Sequence, residues 1–219
     1  MVTLTLYGES GWVSPWVFHA MVALAEKQLP YQLEVVPLPI PLAQRAEFEA
    51  RAVVGRVPIL VHGDVWISES LAISEYLAET FPTPGHPRLF PADLAQRARA
   101  RQIMSMLRTS LFALREDRPT STMFGPDQAS RTRVAPPLSA QGTTDAAELL
   151  RIAGRLVLPG AQSMFAQWCI ADADLGLALM RLVSNGDAVP AHLAEYAHAQ
   201  WARPSAQTFL QRVGAHHAA

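Results

Sequence analysis

The stretch Phe81-Pro-Thr-Pro-Gly-His-Pro-Arg-Leu-Phe-Pro91 constrains the fold more than any other feature of the chain. Its four prolines each remove an amide donor and fix the backbone, and with Gly85 they prevent a helix or a strand from running through. Strand and helix signals alternate before it, whereas almost everything after it reads as helix. The expected organisation is a mixed α/β domain over residues 1–81, a linker over 82–91 and an all-helical domain over 92–219. Half of the 219 residues are hydrophobic, which is enough to bury two small cores.

Val2 to Tyr7 alternates as a strand does, and Ser14-Pro15 followed by Val17, Met21 and Leu24 is a helix start with its apolar face. Tyr31 to Leu38 reads as a second strand, and Leu42 to Ala52 as a short helix approached through Pro37, Pro39 and Pro41. Val57 to His62 and Val65 to Ile67 flank Gly63-Asp64, a hairpin signal, and a helix opens at Ser68 or Glu69 with Ile73, Tyr76 and Leu77 on one face. The order is βαβαββα. In the second half, Leu94 to Leu114 is expected as one long amphipathic helix with Ile103, Leu107, Leu111 and Leu114 on its stripe. Thr120 to Leu138 has no period and reads as a loop before a helix capped by Ser139. Asp172 to Val183 is expected as a buried central helix, Pro190 to Trp201 and Ser205 to Val213 as the last two, and His216-His217 as a frayed tail.

A net charge of −1 with 17% charged residues creates no field to attract nucleic acid or an acidic membrane surface. Small molecules are the expected partners. Cys169 is the only cysteine, which excludes an internal disulfide and any Cys-x-x-Cys pair. The seven histidines lack metal-binding spacing and no glycine-rich phosphate loop is present, so neither a metal nor a nucleotide is expected. The start lacks the basic and apolar blocks of a signal peptide, and no apolar run is long enough to span a bilayer; a cytoplasmic, unprocessed protein is expected.

Three short motifs are candidates for chemistry. Val57-Pro58 precedes a strand, where a cis peptide costs only about 0.5–1 kcal/mol; an ordinary strand-start proline has the same appearance. Glu69-Ser70 sits at a helix start, where unsatisfied amides and the helix dipole favour an anion, although simple capping uses the same residues. Ser14 precedes Pro15 at another helix start, so its hydroxyl either faces a cleft or caps the helix, the latter for roughly 1 kcal/mol.

Together with the βαβαββα order and the helical half, these motifs resemble the cytosolic glutathione transferase family over nearly the whole chain. Ser14-Pro15, Arg99-Ala-Arg-Gln102, Arg115-Glu-Asp-Arg-Pro-Thr120 and Trp168-Cys-Ile-Ala-Asp172 look more narrowly like the bacterial YfcF-type, serine-type members. The resemblance implies a thioredoxin-like first domain and glutathione as co-substrate. It implies that Pro58 is cis, that the Val57 main chain pairs with the cysteinyl part of glutathione, that Ser70 holds the γ-glutamyl carboxylate and that Glu69 meets the ammonium group. Ser14 is then the catalytic residue, donating a hydrogen bond to the glutathione sulfur and favouring the thiolate. Tyr7 and Ser10 are its rivals.

The same resemblance places Trp12, Trp16, Phe112, Arg115 and Arg118 around an electrophile site; packing aromatics and solvent-facing arginines fit these positions equally well. Pro37 to Ala43 is apolar where many relatives hold the glycyl end of glutathione, which leaves Gln44, Arg45 or Arg56 as substitutes. Cys169 stands where relatives usually have Ser or Thr, three residues before Asp172, in a buried capping box. The expected activity is thiolate attack on a small electrophile or a peroxide, in a homodimer. Disulfide reduction at the same site and a non-catalytic binding protein are the alternatives.

Overall fold

A computed structural model of the chain describes residues 3–124 and 135–218. They form two compact units, one of residues 1–89 with 208–219 and the other of residues 90–207.

The first unit is built on a four-stranded sheet of order β2-β1-β3-β4. β1 (Leu4–Glu9) runs parallel to β2 (Tyr31–Val36) and antiparallel to β3 (Ile59–His62), which pairs antiparallel with β4 (Val65–Ser68). The parallel step needs a crossover, which α1 (Pro15–Glu26) supplies; the antiparallel step needs only Gly63-Asp64, where Gly63 adopts φ +61°. α2 (Leu42–Ala52) and α3 (Ser70–Thr80) complete the βαβαββα order. β1 and the sheet centre are buried through Leu4, Leu6, Ile59 and Leu60. α1 buries eight successive residues from Val17 to Leu24, so it is covered on several sides rather than along one stripe. A second apolar cluster, Val36, Phe48, Ala52 and Ile59, seats α2 on the sheet.

The second unit is helical throughout its described residues: α4 (Leu94–Thr109), α5 (Phe112–Asp117), α6 (Ser121–Phe124), α7 (Ala140–Leu156), α8 (Ile170–Val183) and α9 (Ala191–Trp201). α10 (Pro204–Ala218) begins in this unit and continues as part of the first. α8 is its centre, buried at every position from Ile170 to Leu182. Gly176 admits α9 at close range, since a Cβ there would lie 2.6 Å from the Cβ of Gln200.

Three expectations are corrected. The single helix over 94–114 is two, because Ser110 is extended and Leu111 takes the left-handed conformation at φ +58°. The expected loop over 120–138 contains α6, and its residues 125–134 lie outside the described residues, as does Val2 of the first strand. The last helix continues to Ala218 instead of fraying after Val213.

Candidate active site

Glu69 and Ser70 follow β4 directly, and the chain turns there by placing Glu69 at φ +67°. A non-glycine residue in that region costs of order 1–3 kcal/mol and is retained where the surroundings require it. The turn puts Ser70 at the first position of α3, 4% exposed, in the turn where a helix offers its amides no partner of its own. Ser74, one turn on, donates to the Ser70 carbonyl at 3.0 Å and shares a 2.6 Å hydrogen bond with the buried His19 of α1. α1 and α3 are thereby locked together beneath the site.

The Val57-Pro58 peptide is cis. Val57, Pro58, Glu69 and Ser70 line one cavity of about 180 Å³ together with Trp16 and Arg56. Two segments a dozen residues apart thus converge with the second residue of α1. The Arg56 guanidinium faces the Glu69 carboxylate at 3.6 Å, with both side chains largely in solvent. Arg45 pairs with Glu49 along α2, and Gln44 is half-buried on the same helix.

Ser14 is the N-cap of α1, two residues before Trp16. Its Oγ accepts from the Val17 amide at 3.3 Å, its own amide donates to Glu9 at 2.9 Å, and its carbonyl accepts from Phe18 at 3.1 Å. Among the described residues its hydroxyl proton has no assigned acceptor, which leaves Ser14 an available donor at a positive helix end. Tyr7 is differently placed. Its ring stacks on Trp66 at 5.7 Å and meets Phe48 edge-on at 5.1 Å, and burial pushes its phenol up, away from the tyrosinate. The Ser10 amide donates to Val36 and extends the sheet pairing by one residue.

The residues expected around an electrophile divide. Trp16 lines the cavity, but Trp12 is 7% exposed and packs edge-on against Phe209. In the second unit, Phe112 is exposed and the Arg115 guanidinium lies 5.3 Å from its ring centroid, with burial lowering the Arg115 pKa. Arg118 is corrected to a structural role. It is 2% exposed and binds both Asp187 carboxylate oxygens, at 2.6 and 2.7 Å, and the carbonyls of Asp117 and Pro136.

Cys169 and Asp172 form the capping box of α8. Burial pushes the Cys169 thiol far up, and the Asp172 charge adds to that, so the thiolate is suppressed. Sequence reasoning missed Glu9, which is 1% exposed and accepts from the Val13 and Ser14 amides. The available signal was an acid at a strand end, followed by Gly11 and then Ser14-Pro15.

A four-stranded mixed sheet with a cis proline before β3, joined to a helical unit, is a glutathione transferase architecture. The N-terminal domain description of glutathione S-transferases matches residues 13–80 and the C-terminal domain description matches residues 93–215. The chain belongs to the glutathione S-transferase family. A glutathione transferase homologue from Burkholderia, solved with bound glutathione, is 31% identical with a TM-score of 0.78, over 98% of this chain and 99% of that one. Glutathione S-transferase U13 of Arabidopsis thaliana is 37% identical over 101 residues, 45% of this chain and 42% of its own. A probable maleylacetoacetate isomerase of Vibrio cholerae is 37% identical over 99 residues, 44% of each chain. The chain therefore spans under half the length of these two curated relatives. No described helix is long and apolar enough to cross a membrane.

Proposed function

We propose that the chain is a glutathione transferase of the serine type, in which Ser14 stabilises the glutathione thiolate for attack on a small electrophile or a peroxide. The observation that carries this reading is the convergence of Val57, Pro58, Glu69 and Ser70 on one cavity beside the first turn of α1. Its chemistry suits a tripeptide with charged ends. The Val57 main chain pairs with the cysteinyl backbone, the Ser70 hydroxyl and the start of α3 take the γ-glutamyl carboxylate, and Glu69 takes the ammonium group. Arg56, already in the cavity lining, is the best placed of the three candidates for a further carboxylate.

Ser14 is too weak an acid to act as a base. It donates its free hydroxyl proton to sulfur, and that bond is stronger to the thiolate than to the thiol, so the thiol pKa falls and more nucleophile exists at neutral pH. The sulfur then forms a bond to the electrophilic atom while the leaving group departs with its electron pair. Phe112 and Arg115 of the helical unit are proposed as electrophile-binding residues. A homodimer and a cytoplasmic location complete the proposal.

Retention on immobilised glutathione, lost in Ser70→Ala, tests the binding step; retention unaffected by that change refutes the assignment of Ser70. The similarity to a probable maleylacetoacetate isomerase favours glutathione-dependent isomerisation as a second reading. Conjugation, peroxide reduction, disulfide reduction and isomerisation assayed side by side separate the chemistries, and inactivity in all four alongside glutathione binding points to a binding protein.

A further inference from the structure

The five residues between β1 and α1 carry Ser14, and their conformation decides where its hydroxyl points. The Ser10 amide is fixed to Val36 at 2.8 Å, and Trp12 sits at φ +52° with its ring buried against Phe209. The end that matters is held by Glu9. Its Oε1 accepts from the Val13 amide at 2.7 Å and the Ser14 amide at 2.9 Å. These are short bonds of the kind a charged acceptor makes to backbone amides. Its Oε2 is buried without a hydrogen-bond partner among the described residues. Gly11 leaves room for that oxygen, since a Cβ at this position would lie 3.0 Å from it.

A side chain 1% exposed with one oxygen unpartnered costs stability that a loop tie alone does not require. An amide side chain would supply the same acceptor without burying a charge. The expense is understandable if the strength of the clamp matters to the residue it holds. Pro15 has no amide, the Val17 amide is used on Ser14 Oγ, and Glu9 occupies those of Val13 and Ser14. Ser14 is thus held through its amide, its carbonyl and its Oγ, and its hydroxyl proton is left to point away from the helix.

We propose that Glu9 is a positioning residue: its buried carboxylate clamps the Val13 and Ser14 amides and so aims the Ser14 hydroxyl at the glutathione sulfur. This inference rests on the reading of Ser14 as the thiolate-stabilising group. Glu9 touches neither substrate nor reacting atoms, and its effect passes entirely through Ser14.

The test is a double-mutant cycle read as kcat, as KM for glutathione, and as the pH midpoint of the rate. Glu9→Ala is expected to lower kcat by between about tenfold and a hundredfold, the scale on which a displacement of an ångström acts. KM is expected to change little, and the pH midpoint to move up, because a misaimed hydroxyl stabilises less thiolate. Glu9→Gln keeps one acceptor oxygen and is expected to fall between the parent and Glu9→Ala. In a Ser14→Ala background, Glu9→Ala is expected to have no further effect. Should Glu9→Ala not fold, Gly11→Ala, which presses on Oε2, takes its place in the cycle alongside Glu9→Gln. Losses that add in the Ser14→Ala background, or an unmoved pH midpoint, overturn the assignment of Glu9 alone. Ser14→Ala with parental kcat overturns the reading of Ser14, and with it this one.

Discussion

Removing the Asp172 carboxylate should destabilise the helical unit by an amount that its donors define. Oδ1 accepts from the Met164 amide and the Tyr196 hydroxyl, each at 2.8 Å, and Oδ2 from Ser163 Oγ and the Cys169 amide, each at 2.9 Å. Burial raises the pKa of this carboxyl, and the four donors oppose that shift. In Asp172→Ala the two hydroxyls can turn elsewhere, but the Met164 and Cys169 amides cannot. A stranded buried amide costs about 1–3 kcal/mol, so two cost about 4 kcal/mol. In Asp172→Asn one oxygen still accepts while the new NH₂ faces donors on the other side, which strands one amide and costs about 2 kcal/mol. At about 2–4 °C per kcal/mol for a chain of this size, Tm should fall by roughly 12 °C for Ala and 6 °C for Asn. Thermal unfolding followed by far-ultraviolet circular dichroism measures both. If Asp172→Asn is as stable as the parent, or Asp172→Ala loses under about 1 kcal/mol, the hydrogen-bond reasoning fails.

Three further outcomes are expected. The Cys169 thiol, pushed up by burial, should resist thiol reagents in the native protein across neutral pH and react only on unfolding; labelling at the native rate of a free thiol contradicts its burial. Arg118→Ala should cost about 3–5 kcal/mol by stranding Asp187, with glutathione KM unchanged, as urea unfolding and steady-state kinetics would show. Glu69→Gly relieves a backbone held at φ +67° and should raise stability by about 1 kcal/mol while weakening glutathione binding; tighter binding in that variant would remove Glu69 from the site.

The parts of the fold legible in the sequence are those written in local backbone chemistry. Pro58 before a strand, Gly63-Asp64 in a two-residue turn and Ser14-Pro15 at a helix start each carry their own signal, and βαβαββα follows from them. The break at Ser110-Leu111 carries none. Leu107, Leu111 and Leu114 keep a helical period across it, and no glycine or proline marks the left-handed residue. The same division holds at the site. Glu69 and Ser70 sit at a helix start that the sequence reveals, whereas the facing of Trp12 and the partner of Arg118 depend on distant residues, Phe209 and Asp187. Glu9 was invisible because acids are seldom buried, and only the two amides above it explain why this one is.

The thiol pKa of bound glutathione tests the central claim most directly. Titrating the ultraviolet absorbance of the thiolate in the complex should give a midpoint well below that of free glutathione in the parent, and a midpoint returned toward the free value in Ser14→Ala with glutathione still bound. An unshifted midpoint in the parent, or an equally low one in Ser14→Ala, contradicts the account.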